Sequence, residues 1–182
     1  MTKKKCIFLD RDGVLNKDHV DYTYRVEDFE ILEKVPEALK MLKEAGYLLI
    51  IVTNQSGIAK KIYKKKDVMK CFEYLQSACD HIIDDQYFAP YHPNFDTNSL
   101  SRKPDSLMIE KAAAKYNVDL DQSWMIGDSE RDMIAAKKVN LKTIYLPKGS
   151  ARYNPDDKKN TSYADHMADN LYEASLMILK KN

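Results

Sequence analysis

Residues 6–13, with the sequence CIFLDRDG, are the most informative about the fold, because four consecutive apolar residues lead into two carboxylates and a glycine. An uninterrupted apolar run of this length is typical of a strand buried on both faces of a parallel sheet. The polar residues that follow predict that the strand ends at Asp10 and turns. Apolar runs and amphipathic stretches alternate along the rest of the chain, which predicts an α/β protein with a doubly wound, Rossmann-like parallel sheet.

The same pattern predicts five strands and five helices. The predicted strands cover residues 6–9, 48–52, 86–89, 124–126 and 142–146, and the predicted helices cover residues 36–45, 66–82, 106–116, 131–139 and 170–180. Pro36 and Gly46 are typical of the first turn and the end of a helix, and Ser106 is a typical helix cap. Residues 90–104 and 148–162 are predicted to be polar surface loops.

Length and composition favour one soluble domain over residues 1–182. Hydrophobic residues make up 44% of the chain and charged residues 31%, with a net charge of +1. This balance predicts neither a nucleic-acid nor a membrane partner, and we expect a monomer. The three cysteines, Cys6, Cys71 and Cys79, are predicted to be reduced thiols of a cytoplasmic protein. The first apolar run ends at Leu9, which is too short for a signal peptide.

Clusters of polar residues follow three of the predicted strands. They are Asp10–Gly13, Thr53–Gly57 and Gly127–Ser129, and Asp132 follows the last cluster in the next helix. Such residues also suit ordinary strand-to-helix turns, which is the plainer explanation of any single cluster. Because parallel strands bring their carboxyl ends to one edge of the sheet, the three clusters together predict a ligand site at that edge.

The side chains of these clusters suit the transfer of a phosphoryl group. Their carboxylates crowd negative charge, which is costly without a cation, and Mg²⁺ prefers oxygen ligands. Thr53 and Asn54 offer neutral donors to phosphate oxygens, and Lys103 brings a positive charge from another loop. A metal ion, hydrogen-bond donors and a cation around carboxylates therefore predict phosphoryl-transfer chemistry.

In their order along the chain, these residues resemble the four motifs of the haloacid dehalogenase (HAD) superfamily. Residues 10–16 (DRDGVLN) resemble motif I, residues 53–59 (TNQSGIA) motif II, Lys103 before Pro104 motif III, and residues 127–132 (GDSERD) motif IV. The resemblance covers most of the chain. It implies the HAD fold with a minimal cap or none and the activity of a phosphatase, a phosphoric monoester hydrolase.

The resemblance also implies the roles of the catalytic residues. Asp10 is expected to attack phosphorus and form an aspartyl-phosphate, which water then hydrolyses. Asp12 is expected to protonate the leaving oxygen and later to activate the water. Thr53 and Lys103 would hold the phosphoryl oxygens. Phosphotransfer to an acceptor other than water stays open.

The expected cofactor is Mg²⁺. The resemblance implies that the carboxylates of Asp10 and Asp128 bind it, together with the backbone carbonyl of Asp12. Asp132 is expected to support either this metal shell or Lys103.

Within the superfamily the chain is most similar to the sugar-bisphosphate and histidinol-phosphate phosphatases. Asn16, residues 53–59 and residues 29–32 carry this likeness. It implies a small phosphorylated sugar as substrate, a heptose bisphosphate first and histidinol phosphate or another sugar phosphate second. The expected substrate contacts are Asp18, His19, Asn54, Gln55, Ser56, Arg102 and Ser129.

The chain departs from this sub-group at the loop before motif III, where relatives usually hold a structural zinc through Cys-x-His and Cys-x-Cys pairs. The matching positions here are Ala89, Tyr91, Ser99 and Ser101. We therefore expect no zinc, and expect packing by Tyr91 and Phe95 to hold the loop. In motif IV, Ser129 also stands at a position where relatives frequently have a lysine. These departures leave a second possibility, a HAD domain that binds a phosphorylated ligand without turnover.

Overall fold

The computed structural model describes residues 2–154 and 163–181, which form a parallel sheet with helices on both faces. Within this part of the chain the sheet has six strands in the order β3-β2-β1-β4-β5-β6. The strands are β1 (Cys6–Leu9), β2 (Leu48–Asn54), β3 (Asp85–Ala89), β4 (Trp124–Gly127), β5 (Lys142–Tyr145) and β6 (His166–Met167). The helices are α1 (Val35–Glu44), α2 (Lys65–Ala78), α3 (Leu107–Tyr116), α4 (Glu130–Lys137) and α5 (Leu171–Leu179).

All five predicted strands and all five predicted helices are present. The largest difference in length is at α2, which ends at Ala78 rather than at residue 82. Asp80 and His81 follow it with φ angles of 50° and 55°. This left-handed conformation cannot continue an α-helix, so the chain turns there.

The sequence prediction missed β6, which has two residues and no apolar run to announce it. It pairs in parallel with β5, with His166 beside Ile144. Residues 155–162, in the second half of the predicted loop, lie outside the described residues, and the loop's first half begins with a short 3₁₀ turn at Pro147–Gly149.

Strand β1 is buried on both faces because its side chains alternate between two hydrophobic cores. Ile7 and Leu9 pack with α1, α2 and α5 on one face. Cys6 and Phe8 pack with α3 and α4 on the other. The uninterrupted apolar run of residues 6–9 therefore reflects a central strand, as predicted. All three cysteines are free and buried, in agreement with the predicted thiols.

The position of β1 also determines where a ligand can bind. Its two neighbours are β2, which the chain reaches through α1 on one face of the sheet, and β4, which it reaches through α3 on the other. Loops that leave in opposite directions open a crevice beyond the carboxyl ends of these strands. In the described parts of the chain, no helix is both long and apolar enough to span a bilayer.

Candidate active site

Asp10 lies at the carboxyl end of β1, at the base of this crevice. Its backbone N–H continues the sheet by donating to Ile126 O at 3.0 Å. One carboxylate oxygen, Oδ1, accepts from the N–H of Arg11 at 2.7 Å. The other, Oδ2, lies 2.9 Å from Lys103 Nζ. Burial, together with the nearby charge of Asp132 and against the pull of Lys103, raises the pKa of Asp10 to about 7.

Asp128, at the end of β4, brings a second buried carboxylate to the same place. Among the described residues, Asp10, Asp128 and Asp132 form the single group of carboxylates that could hold a metal ion, with ligand atoms within 4.8 Å of one another. Burial first, and then the charges of Asp10 and Asp132, raise the pKa of Asp128 well above its ordinary value. Gly13 makes room, since with φ +79° a Cβ there would lie 2.4 Å from Asp128 Oδ2.

Lys103 and Asp132 form a buried ion pair beneath the two carboxylates. Lys103 Nζ lies 2.5 Å from Asp132 Oδ1 and donates to Val52 O at 2.7 Å. Asp132 Oδ2 accepts from the backbone N–H and the hydroxyl of Ser129, at 3.1 and 2.6 Å. Burial opposes the charge of Lys103, but Asp10 and Asp132 outweigh it and raise its pKa. The two oxygens of Asp132 thus face Lys103 and Ser129.

Asn54, at the end of β2, fixes the backbone of Lys103. The amide nitrogen of Asn54 donates to Lys103 O, and its Oδ1 accepts from Lys103 N, each at 3.0 Å. This pair of hydrogen bonds ties the motif III loop to β2. Asn54 lines the cavity, and its side-chain amide contacts the loop that carries Lys103.

Asp12 is surrounded by donors. Arg11, whose side chain is 1% exposed, donates from Nη2 to both oxygens of Asp12, at 2.7 and 2.9 Å. Asn16 donates to Oδ1 at 3.0 Å and Gln55 to Oδ2 at 3.1 Å. The carboxylate therefore sits in one orientation at the edge of the crevice.

A cavity of about 210 Å³ joins these groups to the surface. Eleven of the thirteen predicted site residues line it: Asp10, Asp12, Asp18, His19, Thr53, Asn54, Ser56, Arg102, Lys103, Asp128 and Ser129. Asp132 lies behind Lys103. The structure thus gathers residues from four separate loops around one buried carboxylate cluster.

Comparison with known proteins identifies this arrangement. The family described as HAD-hydrolase-like matches residues 100–174. The D-glycero-β-D-manno-heptose-1,7-bisphosphate 7-phosphatase of Haemophilus ducreyi is 38% identical over 151 residues, which cover 79% of this chain and 82% of that protein. The chain belongs to this family of HAD-like phosphatases.

A second relative and a solved structure are also similar to this chain. The D-glycero-α-D-manno-heptose-1,7-bisphosphate 7-phosphatase of Photorhabdus laumondii is 36% identical over 154 residues, which cover 80% of this chain and 84% of that protein. The crystal structure of the D,D-heptose 1,7-bisphosphate phosphatase of B. bronchiseptica, complexed with magnesium and phosphate, has a TM-score of 0.88. It is 25% identical in sequence, covering 98% of this chain and 99% of that one. The alternative of a domain without phosphatase activity is therefore set aside.

The predicted substrate contact at Gln55 is wrong. Gln55 does not line the cavity, and it is 1% exposed. Its side chain points behind Asp12, where its Nε2 donates to that carboxylate and its Oε1 accepts from the Tyr63 hydroxyl at 2.7 Å. The motif alone could not show this, because residues beside a strand end can face either the crevice or the core.

The loop before motif III is held by hydrogen bonds as well as by contacts of Phe95. Phe95 is 57% exposed and packs at the surface, with its ring 5.0 Å from the ring of His92 and 5.2 Å from Lys60 Nζ. Hydrogen bonds hold the loop as well, from Arg102 Nη1 to Tyr91 O at 3.0 Å and from His92 N to Asp96 Oδ1 at 2.8 Å. At two of the four positions matched to zinc ligands, the hydroxyls of Ser99 and Ser101 share a hydrogen bond of 2.8 Å.

The sequence analysis missed several residues at the mouth of the cavity. These are Val20, Tyr22, Lys60, His92, Arg131, Ser150 and Arg152. The position of Arg152 depends on a contact between two loops, since Ala151 N donates to Asp18 Oδ2 at 3.0 Å. A basic run that includes Lys60 is visible in the sequence, but a run of lysines more often marks a solvated surface.

Proposed function

We propose that this phosphatase removes the 7-phosphate of D-glycero-D-manno-heptose 1,7-bisphosphate through an aspartyl-phosphate on Asp10. The observation that carries the proposal is the position of Asp10 at the base of the cavity, between Lys103 and the Asp128 carboxylate. The test is magnesium-dependent phosphate release from both anomers of the bisphosphate, since relatives named for each anomer are similar to this chain.

The reaction proceeds in two displacements. In the first, Asp10 attacks phosphorus, the bond to the sugar oxygen breaks, and Asp12 gives that oxygen a proton. In the second, water attacks the aspartyl-phosphate while Asp12 takes a proton from it, and the bond between phosphorus and Asp10 breaks. Inorganic phosphate leaves, and both aspartates return to their starting protonation states.

The phosphoryl oxygens are stabilised by groups that are already in place before the substrate arrives. Lys103 is held by Asp132, Val52 and Asn54, so its charge does not have to reorient during the reaction. Thr53 and Ser56 also line the cavity, and their hydroxyls would serve as further donors to the phosphate. Donors that are fixed in a buried site are worth more than the same donors in water.

The buried carboxylates fit a Mg²⁺ ion. Asp10 and Asp128 have raised pKa values, and among the described residues no cationic side chain forms an ion pair with Asp128. Asp10, Asp128 and the backbone carbonyl of Asp12 would hold the ion. When bound, it supplies positive charge that neutralises the carboxylates and the substrate phosphate. We propose no structural zinc, since Ala89, Tyr91, Ser99 and Ser101 offer no ligand set for it.

Mg²⁺ should therefore stabilise the folded protein. We expect Mg²⁺ at about 100 times its dissociation constant to raise Tm by roughly 5–10 °C, from about 2.7 kcal/mol of linkage. Asp128→Asn should abolish most of this shift, and Asp121→Asn, on the surface, should leave it unchanged. Thermal unfolding with and without Mg²⁺ is the measurement. An equal shift in Asp128→Asn would remove Asp128 from the metal site.

The mouth of the cavity favours a second phosphate on the substrate. Lys60, Arg102, Arg131 and Arg152 line it, and within the described residues none of them is ion-paired with a carboxylate. Burial, and after it the nearby charge of Arg131, lower the pKa of Arg102, as expected where two like charges lie close together. An anion would relieve this repulsion, whereas the ammonium group of histidinol phosphate would add to it. The bisphosphate is thus favoured over histidinol phosphate.

Loss of one mouth arginine should affect only substrates with a second phosphate. We expect Arg131→Ser to raise KM for the bisphosphate about 5- to 30-fold, the equivalent of about 1–2 kcal/mol for a charged hydrogen bond. KM for a hexose monophosphate should change less than about twofold on the same reasoning. Steady-state kinetics with both substrates are compared with Arg25→Ser, a control outside the cavity. Equal changes for both substrates would place Arg131 elsewhere in the mechanism.

A further inference from the structure

The side chain of Gln55 contacts two residues of the candidate site, Asp12 and Thr53, from the side that faces away from the cavity. It follows the last residue of β2, is 1% exposed, and does not touch the cavity. Its Nε2 lies 3.1 Å from Asp12 Oδ2 and 3.2 Å from Thr53 Oγ1. One amide group thus bridges the carboxylate proposed to move the proton and a hydroxyl proposed to bind the phosphate.

The orientation of this amide is determined by its partners. Its Nε2 faces Asp12 Oδ2, to which it donates, and its Oε1 faces the hydroxyl of Tyr63. On the other side, Tyr63 donates its hydroxyl hydrogen to Gln55 Oε1 at 2.7 Å. Burial raises the pKa of Tyr63 well above its ordinary value, so the hydroxyl keeps this hydrogen throughout the physiological range.

The ring of Tyr63 is itself held in place. It is 5% exposed, stacks on Tyr24 with ring centroids 5.0 Å apart, and meets the edge of Tyr22 at 5.9 Å. Gly57 allows the ring to lie against the motif II turn, since a Cβ there would be 2.0 Å from Tyr63 Cε1. The ring of Tyr63 is therefore held by its neighbours, and through Gln55 it is connected to Asp12.

The two hydrogens of the Gln55 amide are donated to different acceptors, Asp12 Oδ2 and Thr53 Oγ1. One holds Oδ2 of Asp12 on the side that faces Thr53. The other occupies a lone pair of Thr53 Oγ1, which leaves the hydroxyl hydrogen of Thr53 to be donated to a phosphate oxygen. Arg11 and Asn16 hold Asp12 as well, but mainly through Oδ1, and neither has a hydrogen bond to Thr53.

We propose that Gln55, oriented by Tyr63, is a positioning residue that aligns the proton transfer of Asp12 with the phosphate bound by Thr53. The proposal rests on the proposed function, because it takes the roles of Asp12 and Thr53 from it. Gln55 itself touches no reacting atom. Its loss leaves the Arg11–Asp12 ion pair intact, so the carboxylate stays near the site but is free to turn away from the leaving oxygen.

The dependence of kcat/KM on the leaving group tests this role. This ratio reports steps up to departure of the alcohol, and p-nitrophenolate departs without a proton, whereas a sugar alkoxide needs one. We expect Gln55→Met to lower kcat/KM for the sugar phosphate about 10- to 100-fold, within the range of general acid catalysis. For p-nitrophenyl phosphate the expected decrease is about threefold or less, from the loosened Thr53. Tyr63→Phe should show the same pattern, more weakly.

Two controls separate the outcomes. Gln122→Met, on the surface, should leave both ratios unchanged, and retention of the Mg²⁺-induced Tm shift in Gln55→Met shows that the variant is folded. Equal losses on both substrates, or no loss on either, would overturn the positioning role. Failure of the wild-type protein to release phosphate from any substrate would instead overturn the proposed function.

Discussion

Replacement of Asp10 by Asn should reduce phosphate release by at least about 10⁴-fold, because the reaction has no other nucleophile. The two side chains have the same shape, so the contact with the Arg11 N–H can persist through the amide oxygen. An amide nitrogen or oxygen, however, is far too weak a nucleophile to attack phosphorus. The measurement is release of inorganic phosphate under saturating Mg²⁺, followed long enough to detect single turnovers.

A matched variant and a binding measurement distinguish lost chemistry from lost structure. Asp121→Asn changes an exposed aspartate in a 3₁₀ turn remote from the crevice, and its rate should equal that of the wild-type protein. Inorganic phosphate should still raise the Tm of Asp10→Asn if the cavity is intact. Residual activity within about tenfold of wild type would exclude Asp10 as the nucleophile, since loss of a nucleophile costs far more.

Lys103→Met should be the most destabilising of these substitutions, because it leaves two buried carboxylates without their cation. Lys103 is 2% exposed and contacts Asp10 at 2.9 Å and Asp132 at 2.5 Å. Removal of one partner of a buried ion pair costs about 3–5 kcal/mol in the free energy of unfolding. Activity should fall at least about 10³-fold, since the cation that faces the phosphoryl oxygens is lost as well. Urea unfolding and phosphate release measure the two effects separately.

A second substitution separates stability from activity in this cluster. Asp132→Asn removes one of the two unpaired charges, so Lys103→Met/Asp132→Asn should be more stable than Lys103→Met alone. The double variant should remain inactive, because no cation has been restored to the cavity. If the second substitution instead lowers stability further by its full individual amount, then the two side chains are not coupled and the ion pair is not the source of the effect.

Much of the candidate site could be predicted because its residues follow strands directly. Asp10 and Asp128 each directly follow a buried strand, and parallel strands bring such positions to one edge of the sheet. The position of these residues along the chain was therefore enough to predict that they meet at one edge of the sheet. The same reasoning missed β6, because a two-residue edge strand has no pattern that differs from a loop.

The direction of a side chain beside a strand end was less predictable. Asn54 and Gln55 are adjacent, and both could have faced the substrate. Asn54 lines the cavity, whereas Gln55 points the other way, towards Asp12 and Tyr63. The choice depends on a tyrosine eight residues away and on the glycine that lets its ring approach.

Hydrophobic periodicity and strand-end residues are local properties of the chain, so they were enough to predict the α/β fold, the central buried strand and the carboxylates at the carboxyl edge of the sheet. The three-dimensional fold was needed to bring Lys60, Arg102, Arg131 and Arg152 to one mouth, and to place Gln55 behind Asp12. Those contacts join loops far apart in the chain. Their distances follow from how side chains pack and hydrogen-bond in three dimensions, which no periodicity along the chain encodes.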